Sequence, residues 1–407
     1  FRCMESALCE ELAARDGLII ATGGGGLVDP DNREVLMRSG QVICLNAEAE
    51  EVIDRVGDDE TRPLLNGTDP EAAVDALMDA RRDAYAAIPW QVSTSGRALD
   101  EVVDAVMALT EIQILPVIYP SGRYEIALDE GVLHRVGEVV RALGLPFGTQ
   151  VAVVSNDVVA PLYGAQVVES LQDAGLRPFL SVLQDGEQYK RLASVRELYD
   201  AFLEAGMDRG GAVIALGGGV TGDVAGFAAA TYMRGVRFVP LPTTVLAMTD
   251  ASVGGKTGVD LPQGKNLVGA FKQPECVLID PAVLHTLPAE EFRSGMAEVI
   301  KHGVLGDPML FDALAKGMED EALSLDPVLL ARSIRVKIEV VESDPFEGGR
   351  RVVLNLGHTA GHALERLSGY TLRHGEGVSI GMVVAARISE RLGRAAAGLS
   401  DRIVDGL

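Results

Sequence analysis

Cations are short in this chain. Its 407 residues carry 36 Lys and Arg against 59 Asp and Glu, a formal net charge of −23. Non-specific nucleic-acid binding and an anionic membrane surface both need a cationic footprint, so both are argued against. A small anionic substrate is not, because a few basic side chains in one cleft override the global field locally. Cysteine is scarce too: Cys3, Cys9, Cys44 and Cys276, with no Cys-x-x-Cys pair. Neither a zinc knuckle nor a disulfide framework is indicated, and a cytoplasmic, reducing location is the expectation. No uninterrupted apolar run reaches spanning length; the Gly/Ala-rich stretch 210–230 is broken by Asp223. No export signal is read at the N-terminus. Among the cations lysine is the scarcer, with seven against 29 arginines and none before Lys190. Such a bias keeps lysine where a compact ammonium on a flexible stem is hard to replace.

What is present is a globular composition: 47% apolar and 23% charged residues. The length predicts two or three domains. Residues 1–112 read as a helix (3–15), a buried-type strand (17–21), a glycine run (23–26), a strand (41–45) and two later helices. Leu99, Val102, Val103, Val106 and Leu109 recur at helical spacing. Two prolines and a turn near 112–122 mark a seam, and 113–122 is taken as a linker. From there, strands 150–155, 177–183, 211–216 and 237–241 alternate with helices 160–174 and 194–205. That order predicts a parallel sheet with helices on both faces over 123–288. Strand signals then fade, and helical patterns at 289–304, 308–316, 327–341, 358–367 and 377–392 predict a helical domain over 289–407.

Three groups of residues carry chemistry. After a strand comes Gly217-Gly218-Gly219-Val-Thr-Gly222-Asp223, with Gly-x-Gly-x-x-Gly spacing that lets amides approach a pyrophosphate at a helix N-terminus. The same spacing serves a tight strand–helix turn. Pro242-Thr243-Thr244 and Asp185-Gly186-Glu187-Gln-Tyr-Lys190 end neighbouring strands, where a nucleotide or a solvated turn would lie. Gly254-Gly255-Lys256-Thr257 and Gly264-Lys265-Asn266 read as glycine-rich loops for an anion, or as flexible surface loops; the scarcity of lysine favours the former. Finally, three of the six histidines fall in one window, His358, His362 and His374, and Glu298 with Lys301 shares a helix face. A divalent metal needs three or four such donors. Spacing alone would choose the i, i+4 pair His358 and His362 as ligands.

Together the segments 185–190, 217–223, 232–237, 242–244, 254–257, 264–266, 296–301, 355–362 and 374–376 resemble the 3-dehydroquinate synthase family, over about residues 123–407. The resemblance implies a Rossmann-like NAD-binding domain followed by an α-helical metal-binding domain. It implies NAD held by Asn156, Glu187, Lys190, Gly217, Gly218, Gly219, Asp223, Thr243, Thr244 and Lys265. It implies zinc or cobalt held by Glu298, His358 and His374, with His362 turned instead to the substrate phosphate. Asp250, Lys256, Lys301, Lys337, Arg351, Asn355 and His362 are the implied catalytic and substrate residues, together with Asn266. Arg234 is implied to reach a neighbouring subunit's substrate, hence a homodimer. The implied reaction turns a phosphosugar, 3-deoxy-D-arabino-heptulosonate 7-phosphate, into 3-dehydroquinate and phosphate, with NAD regenerated. Ala251, where many members have serine, and the run 342–349 depart from the family pattern. A phosphate-binding lysine from the family's last helices is expected beyond Leu407.

Residues 1–112 resemble the C-terminal two-thirds of shikimate kinase, through Phe1-Arg2-x-x-Glu5, Thr22-Gly23-Gly24-Gly25, Thr61-Arg62-Pro63-Leu64-Leu65 and Arg81-x-x-x-Tyr85. This P-loop-kinase-like α/β fragment implies shikimate at Arg2, Gly23, Gly24, Gly25 and Arg81, and a lid arginine, Arg62, over ATP. The phosphate loop that would hold ATP and magnesium belongs before Phe1. The parent is therefore expected to be a kinase–synthase fusion, and this stretch is expected not to phosphorylate shikimate. Competing readings are an NAD- and metal-dependent polyol dehydrogenase, a related sugar-phosphate cyclase and a non-catalytic scaffold.

Overall fold

The computed structural model describes residues 2–15, 17–56, 70–110, 113–315, 325–369 and 371–407. They fall into two compact units, Phe1–Ile114 with Glu138–Pro146, and Leu115–Gly137 with Phe147–Leu407.

The first unit runs α1 (Arg2–Ala13), a single turn α2 (Gly23–Gly26), α3 (Pro30–Ser39), β1 (Ile43–Asn46), α4 (Ala49–Val56), α5 (Pro70–Ala86), β2 (Trp90–Ser93) and α6 (Leu99–Thr110). β1 and β2 pair in parallel. Cys9, Leu27, Leu36, Cys44 and Ile88 form a small core. The strand expected at 17–21 is not formed: the segment is irregular, and Leu18, Ile19 and Ile20 are exposed. A strand needs a neighbour to take its amides, and among the described residues none stands beside this run.

The second unit starts where a linker was expected. Residues 113–122 instead hold β3 (Gln113–Tyr119) and the turn into β4 (Gly122–Leu128), and β4 lies between β3 and β11 (Cys276–Ile279). α7 (Val136–Ala142) belongs from Glu138 onward to the first unit; the second continues with β5 (Gln150–Asn156), α8 (Ala165–Asp173), β6 (Arg177–Leu183), α9 (Leu192–Glu204), β7 (Ala212–Gly217), α10 (Gly219–Thr231) and β8 (Arg237–Pro242). The sheet order is β6-β5-β7-β8, all parallel. β5 and β7 are almost wholly buried runs of Val, Ile and Ala, as strands covered on both faces must be. The chain leaves β5 towards β6, then returns to place β7 on its other side. That makes the C-terminal ends of β5 and β7 a topological switch point.

The supposed loops around Lys256 and Asn266 are an antiparallel hairpin, β9 (Lys256–Leu261) and β10 (Gly264–Phe271), bulged between Gly264 and Val268. Its Val259, Val268 and Ala270 pack with α10 and the sheet, which fixes what spacing alone left as coil. After β11 the described residues are helical: α11 (Ala289–Gly306), α12 (Pro308–Ala315), α13 (Pro327–Ser343), α14 (His358–Leu367), α15 (His374–Arg391) and α16 (Leu399–Gly406). Among the described residues no helix is long and apolar enough to cross a membrane.

Two glycines seat α15. A Cβ on Gly375 would stand 2.0 Å from the Ser294 carbonyl of α11, and one on Gly381 would stand 1.9 Å from the Gly357 carbonyl before α14. Gly375 N–H also donates to Ser294 Oγ at 3.0 Å. This backbone contact brings the first residue of α15, His374, against α11. Gly375→Ala should force the helices apart at a cost of about 1–3 kcal/mol. A thermal melt should show it; an unchanged melting temperature would refute the close-approach argument.

Candidate functional site

Four helices and one π-helical turn deliver the titratable groups. On α11, Glu298, Lys301 and His302 share one face at i, i+3 and i+4, and all three are buried. α14 carries His358, His362 and Glu365; α15 begins with His374. α13 carries Lys337, and a π-helical turn, Ala247–Ala251, carries Asp250.

Glu298, His358 and His374 place one donor atom each within 4.8 Å of one another. Glu298 Oε1 lies 3.8 Å from His358 Nε2 and 3.7 Å from His374 Nε2. It is shielded from solvent and accepts no hydrogen bond. Those spacings are too long for hydrogen bonds. They lie close to the roughly 3.3 Å that separates ligand atoms around a tetrahedral ion with bonds of about 2.0–2.1 Å. An orphaned buried carboxylate oxygen facing two imidazole nitrogens fits a divalent cation. A second set, His362, Glu365 and His374, shares His374. There, however, Glu365 Oε1 is already engaged by His374 Nδ1 at 3.0 Å.

That contact has a purpose. A carboxylate only accepts, so Nδ1 of His374 carries the proton and Nε2 keeps its lone pair for the centre. His358 Nδ1 is similarly placed 3.3 Å from the Leu356 carbonyl. Burial pulls His374 down, but Glu298 and Glu365 more than offset it and hold its pKa above the usual value. His358 is held below it, by burial and by Lys301. Burial pushes Glu298 up, yet Lys301, ion-paired to Oε2, and His374 bring it down to about 2.

Next to this centre lies a buried cationic group. Lys337 Nζ pairs with Asp250 Oδ1 at 2.5 Å. Burial alone would raise Asp250, but Lys337 and Lys301 hold it well below the usual carboxylate range. Lys337 is itself pushed down, by burial and then by Arg351 and Lys301, although Asp250 opposes this. Arg351 is buried, its guanidinium donating to the Pro345 carbonyl at 2.9 Å. Lys256, half exposed, pairs with Glu347, which is held at φ +59°. Asn355 and His362 are exposed; the His362 ring centroid lies 5.1 Å from that of His358. Arg234 is exposed at φ +69° beside Met233 at +48°.

Asn156 and Gly217, both expected to hold the nucleotide, end their strands at the switch point. Asn156 ends β5, Gly217 ends β7, and α10 starts at Gly219. A cleft is lined by Gly217, Gly218, Gly219, Asp223, Lys256 and Lys272, among others. Thr243 Oγ1 is buried without a hydrogen-bond partner. Thr244 Oγ1 accepts from Ala247 N–H at 3.1 Å. Lys190 Nζ bridges Asp223 Oδ2 at 2.6 Å and Asn266 Oδ1 at 2.5 Å. Asn266, expected at the substrate, thus meets Lys190, expected at the nucleotide. Glu187 pairs with Lys265 at 3.1 Å. Asn156 is satisfied on both sides, by Asp185 Oδ1 at 2.6 Å and Val159 N–H at 2.8 Å.

In the first unit, Tyr85 Oη donates to the Gly24 carbonyl at 2.6 Å and accepts from Arg81 Nη1 at 3.1 Å. Gly23 and Gly25 flank that carbonyl in α2. The Arg2 side chain and Arg62 lie outside the described residues.

Sequence spacing missed Glu365. It was legible, since it stands seven residues after His358 and so falls on the same helix face. Glu365→Ala should weaken cation binding about 10–100-fold with the fold intact. Chelator competition measures it, and an unchanged affinity would show that Glu365 does not orient His374.

Profiles of known families match the chain in three places: shikimate kinase over residues 1–111, 3-dehydroquinate synthase N-terminal over 180–294, and 3-dehydroquinate synthase C-terminal over 295–407. The chain is 47% identical over 312 residues to the 3-dehydroquinate synthase of a Synechococcus species, covering 72% of this chain and 85% of that protein. It is 50% identical over 285 residues to that of Geobacter metallireducens, covering 69% and 78%. Among solved structures it is similar to 2-deoxy-scyllo-inosose synthase complexed with carbaglucose-6-phosphate, NAD+ and Co2+, with a TM-score of 0.65, 28% identity and coverage of 72% and 81%. It is also similar to 2-epi-5-epi-valiolone synthase from Streptomyces hygroscopicus with NAD+ and Zn2+ bound, with a TM-score of 0.62, 29% identity and coverage of 70% and 79%.

Proposed function

The chain belongs to the 3-dehydroquinate synthase family, and from that premise we propose how its residues divide the conversion of 3-deoxy-D-arabino-heptulosonate 7-phosphate to 3-dehydroquinate and phosphate. A shikimate kinase unit is fused ahead of the synthase unit. The observation that carries the reading is the orphaned Glu298 Oε1 facing two imidazole nitrogens beside three buried cations.

Glu298, His358 and His374 hold the divalent metal, zinc or cobalt. Bound there, the metal supplies a Lewis acid for a substrate hydroxyl, and NAD at the switch point supplies a hydride acceptor that is regenerated. Lys301, Lys337 and Arg351 bind the anionic groups of the substrate in a place water does not reach. Buried cations in excess of Asp250 and Glu298 favour an anion there. Asp250, kept ionised by Lys337 and Lys301, accepts a hydrogen bond from a substrate hydroxyl. His362 and Asn355, on the exposed rim, take the phosphate. Lys256 exchanges Glu347 for the substrate. Gly217, Gly218 and Gly219 offer amides to the dinucleotide, and Thr243 Oγ1 its unused hydroxyl. The enzyme acts as a homodimer in which Arg234 reaches the other copy's substrate. Its exposure and left-handed backbone support a role outside its own core.

The test combines the purified chain, the phosphosugar, NAD+ and Co2+ or Zn2+. Inorganic phosphate should be released one for one with 3-dehydroquinate, and absorbance at 340 nm should show no net NADH. Accumulating NADH without phosphate would assign a polyol dehydrogenase instead. Phosphate release from other sugar phosphates, but not from this one, would assign a related cyclase. Lys337→Ala should lower kcat/KM about 10²-fold or more, as loss of a buried charge-stabilising donor does.

A further inference from the structure

His302 has no part in the roles assigned so far. It lies one helical turn beyond Glu298 on α11 and is fully buried. Its Nδ1 is 2.8 Å from Ser333 Oγ on α13. Its Nε2 is shielded from solvent and has no hydrogen-bond partner. A ring nitrogen lies within 4.8 Å of a carboxylate oxygen of Asp250 and one of Glu298. The charges that face the ring are those two carboxylates and the ammoniums of Lys301 and Lys337.

Two simpler accounts of this histidine fail. The trio Asp250, Glu298 and His302 is a poor cation site, because Lys337 and Lys301 already pair with its carboxylates and would repel an ion between them. Nor is the ring a packing element alone, since burying a ring nitrogen without a partner is costly and an apolar ring of similar size would avoid that cost.

The remaining account concerns the spacing of the carboxylates. A cation held by Glu298, His358 and His374 must keep one position open for the substrate. Asp250 lies close enough to Glu298 to be drawn toward the same ion and to close that position.

We propose that His302 is a positioning residue of the cation centre: anchored by Ser333, its ring keeps Asp250 with Lys337 while Glu298 turns Oε1 toward His358 and His374. That role takes the tautomer in which Nδ1 accepts from the Ser333 hydroxyl and Nε2 carries the proton; that N–H, without a hydrogen-bond partner here, presents only positive charge toward the nearby carboxylates. The inference rests on the cation centre proposed above.

Cobalt(II) titration of the purified full chain tests it, read by the visible d–d band and by chelator competition. His302→Phe keeps the ring and removes both nitrogens. It should weaken Co2+ binding about 10-fold or more and change the band, as loss of an outer-shell partner does. His302→Gln restores a donor amide and should return the affinity to within roughly threefold of the unmutated chain. Circular dichroism establishes that each variant folds. A folded His302→Phe with unchanged affinity and band overturns the inference, and so does failure of His302→Gln to restore them. If His302→Phe does not fold, Ser333→Ala decides: a weakened affinity supports the inference and an unchanged one overturns it. If the unmutated chain binds no cobalt, the cation centre and this inference fall together. If the unmutated chain binds cobalt and the variants match it, only the inference about His302 falls.

Discussion

Glu298 is fully buried, and a carboxylate taken out of water stays ionised only with charge set against it. Lys301, one turn along the same helix, meets one oxygen; nothing meets the other until two imidazoles arrive from α14 and α15. Much of the helical half can be understood as the means of that arrival. α15 approaches α11 and α14 so closely that only glycine fits at 375 and 381. Glu365 and the Leu356 carbonyl turn the two rings so that the nitrogens facing Glu298 are those with free lone pairs. Ring, carboxylate and glycine act as one constraint: loosening any of them leaves a buried anion half paired.

The parallel sheet solves a different problem with different means. A dinucleotide needs backbone amides and an opening, and open α/β sheets supply both where the strand order reverses. Here that point lies between β5 and β7, so Asn156 and Gly217 end side by side although 61 residues separate them in sequence. The hairpin β9–β10 then brings Asn266 to Lys190, which also pairs with Asp223 of α10. At the ends of the strands some polar groups are already paired, as Asn156 is with Asp185 and Val159, and others, such as the buried Thr243 Oγ1, have no partner.

Periodicity revealed the alternating strands, the glycine turn and the helical half, because each is set by local pattern. It failed where pairing decides. The run at 17–21 is as apolar as a strand but pairs with no strand among the described residues, and the residues around Lys256 and Asn266 look like loops yet pair with each other. The ligand set shows the same limit. Spacing of i, i+4 establishes that His358 and His362 share a face, not which face of another helix they meet. Only the packing of α11 and α15 puts Glu298 and His374 beside His358 and leaves His362 on the rim. The resemblance to the synthase family carried this distinction, which no count of residues could.

The scarcity of lysine turns out to have a physical basis. A chain of net charge −23 must create a cationic cleft against its own field. Six of its seven lysines are gathered about the cleft and the cation centre: Lys190, Lys256, Lys265, Lys272, Lys301 and Lys337; the seventh, Lys316, lies outside the described residues. Arginine, with its rigid fork, joins them there in the buried Arg351 and otherwise serves in surface pairs such as Arg38 with Glu34 and Arg402 with Asp312. A buried ammonium has a different use. It sheds little bulk around a carboxylate, and its pKa moves with its neighbours, so Lys337 is pushed down where Lys190 is held up by Asp223 against the pull of burial. Burial is the largest influence at both and lowers both; the carboxylates around Lys190 overcome it, whereas at Lys337 Asp250 is opposed by Arg351 and Lys301 as well. Around Lys337 cations are in excess, which is the electrostatic condition for receiving a phosphorylated, carboxylated sugar in a protein that is otherwise strongly acidic.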